Sequence, residues 1–321
     1  MPPGKYERTG LRPEVAGLLD AARAAKAGQT EPTRIPMLRA IEKAAAVALS
    51  AGAPAIALER EVAIKTPDVT LRALVFAPVE QPEAMPVIMH LHGGGFVWML
   101  PESYAKPSKE IAIAANAIVV SIDYRRAPEH PYPTPLDDCV AAFRWLRAHA
   151  TEIGGDPSRI AIAGESAGGG LAASTTLRLL ADGDEPPAAV AVASAWLDLR
   201  NASPSFRALG PDDPMIDEAT MAYWRESYAP REEQWSDPML SPVLADVSSF
   251  PPACVVVAGI DPLYDDGVSF AESLRAAGRS VELHDYEGMP HIFWCFPQLD
   301  GVNDVTDRIG AFFRRELQAG A

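Results

Sequence analysis

The stretch that decides the fold is Gly164-Glu165-Ser166-Ala167-Gly168. An apolar, β-like run at 160–163 precedes it, and a helix-like run at 171–177 follows it. A G-x-S-x-G turn between a strand and a helix holds its serine in a strained backbone conformation and exposes the Oγ atom above the sheet. The two glycines are predicted to be necessary because side chains there would collide across so tight a turn. The pattern alone arises by chance in a chain of this length roughly one time in ten, so Ser166 needs supporting partners elsewhere.

The composition is that of an acidic globular protein. The chain has 321 residues, of which 48% are hydrophobic, and this is enough to build a large core. Its formal net charge is −15 and its pI is about 4.8. Nucleic acids and anionic membranes bind basic surfaces, so neither is expected as a partner.

The three cysteines, Cys139, Cys254 and Cys295, form no CxxC pair. Buried free thiols in a reducing cytoplasm are the expectation, and a cysteine nucleophile is an alternative that no motif supports. Residues 1–8 lack the apolar segment of a secretory signal. No run reaches the ~18 apolar residues of a membrane helix. We therefore expect a cytoplasmic protein.

Apolar strands alternate with helical patterns along most of the chain. Two N-terminal helices are predicted from prolines near their starts and glycines after their ends. They cover 13–27 and 35–51. Strands are predicted at 62–64, 69–76, 87–91, 117–122, 160–163, 188–193, 253–258 and 281–286, and further helices at 104–116, 134–149, 167–181, 265–277 and 303–318. This order predicts a doubly wound α/β fold, with a mainly parallel sheet covered on both faces and ligands at the carboxyl ends of its strands.

The segment 198–249 interrupts this alternation. A connection of this length in a compact domain is usually functional, often a lid. The alternative is that its bulky side chains form local core, and the sequence leaves both open. These side chains are Phe206, Met215, Met221, Tyr223, Trp224, Tyr228 and Trp235.

A glycine-rich motif, His92-Gly93-Gly94-Gly95, follows the predicted strand at 87–91. Such a run lets backbone N–H groups approach a developing oxyanion. A phosphate-binding loop is a poorer interpretation, because the GK[ST] ending and the dinucleotide spacing are missing. A plain glycine-rich turn is the other alternative.

A serine nucleophile also needs a base, and the base needs an orienting acid. His291 follows the last predicted strand, and Asp261 follows the strand at 253–258. Each residue also has a simpler interpretation. His291 could be a packed or surface histidine, and Asp261, just before Pro262, could be a helix N-cap. Weaker candidates are His90, His92, His149 and His284 for the base, and Asp198, Asp265 and Asp266 for the acid.

Together these motifs resemble the bacterial hormone-sensitive-lipase family of carboxylesterases. The resemblance implies an α/β-hydrolase fold with a mostly parallel central sheet and a helical cap. We expect cap helices in 1–52, a catalytic domain in 53–197 and 250–321, and a second cap segment in 198–249. The matching stretches are 92–95, 124–131, 164–169, 241–242, 250–252, 261–263 and 290–291.

The chain departs from the family pattern at three positions. The family more often has Asp or Thr at Glu165, Leu at Arg126 and Gly at Ile292. None of these belongs to the expected catalytic triad, so the departures concern substrate preference, and Glu165 is assigned no catalytic role. The segment 124–131 is expected to support the loop beside the active site.

The resemblance implies the chemistry of a serine esterase. Ser166 would attack an ester carbonyl, His291 would act as the base, and Asp261 would hold the imidazole tautomer. No metal or organic cofactor is required. The bulky residues of the expected cap favour a closed pocket for short-to-medium acyl chains, from acetyl to hexanoyl.

Backbone N–H groups are expected to form the oxyanion hole. They come from the loop of Gly93, Gly94 and Gly95 and from Ala167, and the resemblance favours Gly94 and Gly95 within the loop. Two other functions stay open: amide or carbamate hydrolysis on the same triad, and a non-catalytic receptor of the same fold. The expected partner is a small-molecule ester. Family members are often homodimers, but nothing in this sequence decides the oligomeric state.

Overall fold

One eight-stranded sheet forms the centre of the protein. The computed structural model describes residues 6, 11–299, 301 and 304–318. The strands are β1 Leu58–Lys65, β2 Thr70–Ala77, β3 Met85–Leu91, β4 Ile118–Asp123, β5 Gly155–Glu165, β6 Val190–Ala193, β7 Ala253–Ala258 and β8 Val281–Tyr286. Their order is β1-β2-β4-β3-β5-β6-β7-β8. β2 is antiparallel to both β1 and β4, and every other pair is parallel, which confirms the mostly parallel sheet.

Helices cover both faces of this sheet. Their bounds are α1 Pro13–Lys26, α2 Glu31–Leu49, α3 Ala105–Ala115, α4 Thr134–His149, α5 Ala167–Asp182, α6 Pro204–Leu209, α7 Glu218–Tyr228, α8 Tyr264–Ala276 and α9 Val305–Gln318. Val87 and Met89 of β3 join the apolar cluster that contains α4, α5 and α8, whereas Ile88 joins the cluster that contains α3 and α9. Because both faces of the central strands β3, β4, β6 and β7 are buried, these strands are almost continuously apolar in sequence.

The predicted boundaries need correction at strands and at helices. Strand β1 covers Leu58–Lys65 rather than 62–64, and β5 begins at Gly155 rather than at 160. Helix α2 begins at Glu31, earlier than predicted, so Pro36 lies inside the helix rather than near its start. Proline is common at the start of a helix, because its missing N–H needs no intrahelical partner there. Inside α2, Pro36 removes one intrahelical hydrogen bond instead. Helix α9 begins at Val305. Residue 303 of the predicted last helix lies outside the described residues, as does most of the stretch 1–8.

The segment 198–249 contains two helices that the periodicity analysis did not predict. Each has a capping side chain: Ser203 accepts a hydrogen bond from the Phe206 N–H at the start of α6, and Asp217 accepts one from Thr220 at the start of α7. These N-cap residues were the available sequence signal. The interpretation as local core holds for part of the segment, because four of its bulky side chains are buried: Phe206, Met221, Trp224 and Tyr228.

The parallel strands bring four loops to one edge of the sheet. Strand β3 leads into the glycine motif, and β5 leads directly into Ser166. Strands β7 and β8 lead into the loops that carry Asp261 and His291. Since carboxyl ends of parallel strands share an edge, residues far apart in sequence meet there.

The packing of α9 against α3 yields a test of the fold. A Cβ atom on Gly310 would overlap the Cβ atom of Ala114. We expect Gly310→Ala to lower the free energy of unfolding by about 1–3 kcal/mol through overpacking, as measured by urea denaturation. Gly17→Ala is the matched control, since this exposed helical glycine has nothing within 4 Å of the new Cβ. The control should be stabilised by about 0.5–1 kcal/mol. Equal effects of the two substitutions would contradict the packing argument.

Candidate active site

Ser166 occupies a strained turn between β5 and α5. Its backbone angles are φ 55° and ψ −123°, a region that side-chain-bearing residues rarely adopt. Neighbouring main chain holds it there: its N–H donates to the Ala193 carbonyl at 3.0 Å, and its carbonyl accepts from the Trp196 N–H at 3.0 Å. The predicted strained serine is therefore confirmed.

The flanking glycines are required for two different steric reasons. A Cβ on Gly164 would overlap the carbonyl oxygen of Gly168, which confirms the predicted collision across the turn. A Cβ on Gly168 would instead overlap the carbonyl oxygen of Leu91, at the end of β3. The second glycine thus lets the turn pack closely against the neighbouring strand, and the sequence did not predict this contact.

A continuous chain of hydrogen bonds joins the three residues predicted as the catalytic triad. His291 Nε2 lies 2.9 Å from Ser166 Oγ, and His291 Nδ1 lies 2.8 Å from Asp261 Oδ2. All three are buried, with exposed fractions of 5%, 3% and 0% for Ser166, His291 and Asp261. With a proton on Nδ1 donated to Asp261, the Nε2 lone pair faces the serine hydroxyl. This is the arrangement that a general base needs.

The alternative interpretation of Asp261 as a helix N-cap is wrong, because α8 begins at Tyr264 and its N-cap residue is Leu263. The Asp261 Oδ1 instead accepts a hydrogen bond from the Leu263 N–H at 2.9 Å, in the turn that leads into α8. The other acids have different partners. Asp198 pairs with Arg200 at 2.8 Å, and Asp265 accepts from the Ser205 N–H at 2.8 Å.

Asp266 is fully buried, and desolvation raises the pKa of this carboxyl well above its usual value. This favours its neutral form, which is unsuited to orienting an imidazole. Of the candidate acids, Asp261 is the one placed against His291.

His90 lies beneath the turn in a contact that sequence reasoning missed. Its Nε2 is 2.9 Å from Glu165 Oε2, and its Nδ1 is 3.0 Å from Ser121 Oγ. His90 and Glu165 are both buried. The pair joins the strand before the glycine motif to the residue before Ser166. The available signal was an acidic residue in the elbow together with a histidine inside an apolar strand.

The remaining histidines also have other surroundings. His149 stacks on Trp145 with ring centroids 4.8 Å apart. His284 lies on β8, with its Nε2 3.5 Å from Glu282. His149 thus lies on α4 and His284 on β8, and neither is the histidine placed against Ser166.

His92 locks the start of the glycine motif. Its Nδ1–H donates to the Gly93 carbonyl at 2.8 Å, and its ring stacks on Tyr124 with centroids 4.4 Å apart. Burial lowers the pKa of His92 to about 3, so the ring is neutral at neutral pH. Gly94 and Gly95 follow with φ of 111° and 60°, in the region that favours glycine. The motif is therefore a loop whose backbone conformation is fixed by the contacts of His92 and by two glycines with positive φ.

The segment 124–131 supports this loop, as predicted. The Tyr124 hydroxyl donates to the His92 carbonyl at 2.7 Å, and the Ala127 N–H donates to the Phe96 carbonyl at 2.9 Å. Arg126 donates to the Met99 carbonyl at 2.7 Å. Its guanidinium also pairs with Glu42 of α2 at 2.9 Å. An N-terminal helix is thus tied to the loop beside Ser166.

A second arginine strengthens that tie. Arg39 of α2 donates to the carbonyls of Val97 and Ala127, at 2.6 and 2.5 Å, and pairs with Glu129 at 2.7 Å. Charged donors to backbone carbonyls are stronger than neutral ones. The position of α2 and the shape of the loop are therefore coupled.

An apolar cavity of about 410 Å³ adjoins Ser166 and His291. Four parts of the chain line it beside Ser166: the first two helices, the segment after β3, the segment 198–249 and the loop that carries His291 and Ile292. The lining from α1 and α2 includes Ala21, Ala22, Ala25, Leu38, Ala45 and Ala48, that from the loop Gly94, Trp98 and Met99, and that from the later segment Met215, Ile216 and Trp224.

Other chemistries find less support among the described residues. Cys139, Cys254 and Cys295 are free and buried, and desolvation raises the pKa of each thiol. Raised thiol pKa values oppose a cysteine nucleophile. Within the described ranges, no group of three or more His, Cys, Asp or Glu side chains is arranged to hold a metal. No helix in that part of the chain is long and apolar enough to cross a membrane.

The sheet order and the serine elbow define an α/β hydrolase, and comparison with known proteins agrees. Residues 88–295 match the family described as alpha/beta hydrolase fold. Carboxylesterase NlhH of Mycobacterium tuberculosis is 38% identical over 253 residues, which cover 76% of this chain and 78% of that protein. An arylesterase of Saccharolobus solfataricus is 32% identical over 257 residues, covering 79% and 82%.

A solved structure shows the same likeness in three dimensions. EstE1, a thermophilic carboxylesterase cloned from a metagenomic library, superimposes with a TM-score of 0.84 at 32% identity, covering 88% of this chain and 98% of that chain. The chain therefore belongs to the hormone-sensitive-lipase-like carboxylesterases of the α/β-hydrolase fold. It is a carboxylic ester hydrolase.

The neutral, buried His92 predicts a pH dependence of stability. The unfolded chain binds a proton at this histidine below about pH 6.5, whereas the folded chain does so only near pH 3. The unfolded state therefore holds more protons in that window, and this group makes the free energy of unfolding fall as the pH falls.

We expect His92→Asn to remove this contribution. Urea denaturation at several pH values between 4 and 6.5 should give a slope for the variant that is shallower by about 1.4 kcal/mol per pH unit. Above pH 7 the difference between the two proteins should become constant. Parallel curves across the acidic window would contradict a neutral His92.

Proposed function

We propose that the protein hydrolyses carboxylic esters with short-to-medium acyl chains through an acyl-enzyme formed on Ser166. The observation that carries this proposal is the buried hydrogen-bond chain from Asp261 through His291 to Ser166, which ends at an apolar cavity. The names of the relatives, a carboxylesterase and an arylesterase, agree with ester chemistry.

Acylation begins with His291 accepting the Ser166 proton as Oγ attacks the ester carbonyl. Asp261 accepts the Nδ1–H hydrogen bond, so it stabilises the imidazolium that forms. The carbonyl oxygen becomes an oxyanion, and backbone N–H groups of Gly94, Gly95 and Ala167 stabilise it. Ala167 is the first residue of α5, so its N–H has no partner carbonyl within that helix and lies at the positive end of its dipole.

The tetrahedral intermediate then collapses to the acyl-enzyme. The ester C–O bond breaks, and His291 donates its Nε2 proton to the leaving alkoxide. A water molecule, deprotonated by the same nitrogen, attacks the acyl carbonyl and releases the carboxylic acid and Ser166. This chemistry needs no redox step and no covalent cofactor.

We propose that residues 1–52 and 198–249 together form a cap that selects the substrate. Side chains from both segments line the cavity, and α2 is tied to the catalytic domain by Arg39 and Glu42. The lining is almost entirely aliphatic and aromatic. An apolar wall of this kind favours apolar acyl chains over charged ones.

A non-catalytic receptor of the same fold is disfavoured, because all three triad side chains are present and mutually hydrogen-bonded. Amide or carbamate hydrolysis would use the same triad. It differs in the leaving group that His291 must protonate, and no observed contact favours it over ester hydrolysis.

The nucleophile assignment predicts that Ser166→Ala lowers kcat for p-nitrophenyl acetate by at least about a thousandfold, because the covalent route is lost. The exposed Ser249→Ala is the matched control and should retain full turnover. An organophosphonate should label the wild type and the control stoichiometrically, as seen by mass spectrometry, and should leave Ser166→Ala unmodified. Undiminished turnover in Ser166→Ala would reject the proposed nucleophile.

The small apolar cavity predicts the acyl-length profile. Over p-nitrophenyl esters from acetyl to dodecanoyl, kcat/KM should be highest between two and six acyl carbons. Longer chains should fall off because the walls from α1, α2 and α7 limit the length that can be buried. A profile that peaks at ten or more acyl carbons would contradict the proposed substrate class.

A further inference from the structure

Two bulky residues that line the cavity have an unusual backbone conformation. Met99 has φ of 69° and Ile292 has φ of 47°. In this left-handed region the Cβ atom crowds the adjacent peptide, so glycine is the residue that fits without strain. The crowding is worst for a β-branched side chain such as isoleucine.

The surrounding structure holds both residues in this conformation. The Met99 carbonyl accepts a hydrogen bond from Arg126 at 2.7 Å, and Glu42 of α2 fixes that guanidinium at 2.9 Å. The Ile292 carbonyl accepts from the Cys295 N–H at 2.9 Å, which starts a short helical turn. Backbone strain of this kind persists only where neighbours impose it, and it concentrates at functional sites.

Both side chains lie close to the reacting atoms. The Met99 Cβ is 3.1 Å from the point that a Cβ on Gly94 would occupy, so it packs against a glycine expected to bind the oxyanion. Ile292 directly follows His291 in the chain. Met99 and Ile292 are 8% and 7% exposed, belong to one apolar cluster and line the 410 Å³ cavity together with Ser166.

We propose that Met99 and Ile292 are specificity-determining residues that set the upper size of the ester. Glycine would adopt both backbone conformations without strain, so the strain comes from the side chains, which the backbone does not require there. Each fills space beside the reacting atoms that a larger substrate would need. This inference rests on the proposed esterase function of the same site.

The chemistry assigns Ile292 to the alcohol part of the ester. His291 Nε2 must reach the leaving oxygen to protonate it, so the group attached to that oxygen begins beside His291 and its neighbour. Met99 lies on the side of the oxyanion loop. Its effect is therefore measured on both the acyl and the alcohol part of the ester.

The test compares glycine and alanine at each position. Met99→Gly and Ile292→Gly remove both the bulk and the strain, whereas Met99→Ala and Ile292→Ala remove bulk but keep the crowded Cβ. All four variants and the wild type are assayed with p-nitrophenyl esters of increasing acyl length and with alkyl butyrates from methyl to octyl. Melting temperatures are measured in parallel.

Asn116→Gly is the matched control. Asn116 also has a positive φ, 51°, but it is exposed at the end of α3 and is not part of the cavity wall. This variant should melt at the same temperature as the wild type or higher, with unchanged ratios between esters.

For Ile292→Gly and Ile292→Ala we expect kcat/KM for octyl butyrate, relative to methyl butyrate, to rise about tenfold, the effect of a changed apolar pocket wall. Met99→Gly and Met99→Ala should raise the ratio of large to small esters by a similar factor in at least one series. Each glycine variant should melt above its alanine counterpart, because only glycine removes the strain.

Ratios unchanged within twofold in all four variants of an active enzyme would overturn the inference and leave the proposed function intact. A wild type that hydrolyses none of these esters and is not labelled at Ser166 would instead reject the proposed function, and the inference with it. Glycine variants that melt below their alanine counterparts would overturn the argument from strain.

Discussion

The positive φ of Ser166 is the constraint on which the rest of the site depends. It turns the chain sharply from β5 into α5, so that Oγ faces His291 while the Ala167 N–H lies beside it. The turn is possible only because Gly164 and Gly168 leave room for main chain, one across the turn and the other against β3. A side chain at either position would move Ser166, the proposed nucleophile, away from His291, which lies on a loop 125 residues further along the chain.

The loop after β3 is held with similar firmness, although by different groups. A neutral His92 holds the first peptide of this loop through its hydrogen bond to the Gly93 carbonyl. Tyr124, Arg126 and Arg39 donate hydrogen bonds to the carbonyls of His92, Met99 and Val97. Arg39 belongs to α2 and also donates to the Ala127 carbonyl beside the loop, so the expected cap supplies donors to the expected oxyanion loop. Oxyanion stabilisation depends on donors that are already oriented before the reaction, and this network would orient the N–H groups proposed for that role. Below it, the buried His90–Glu165 pair connects the same strand to the elbow.

Much of the architecture could be predicted from local patterns. Continuous apolar runs at 87–91 and 253–258 marked buried parallel strands, because both faces of such strands are covered. The G-x-S-x-G pattern marked the elbow, because residues larger than glycine at 164 and 168 would overlap neighbouring main chain. The order of Ser166, Asp261 and His291, each just after a strand, placed them at one edge of the sheet. Boundaries were less certain: Pro36 obscured the start of α2, and the short helices α6 and α7 had caps but little periodicity.

By itself, the sequence determined the fold class and indicated the proposed nucleophile and its candidate partners, since these depend on residue types and on the order of strands and loops. Only the tertiary structure decided which glycine contacts which carbonyl, how Glu165 meets His90, and how α2 is tied to the oxyanion loop. It also decided that Met99 and Ile292 adopt left-handed conformations beside the cavity. The physical reason is that these features arise between segments far apart in the chain, where packing and hydrogen bonding outweigh the local preference of each residue.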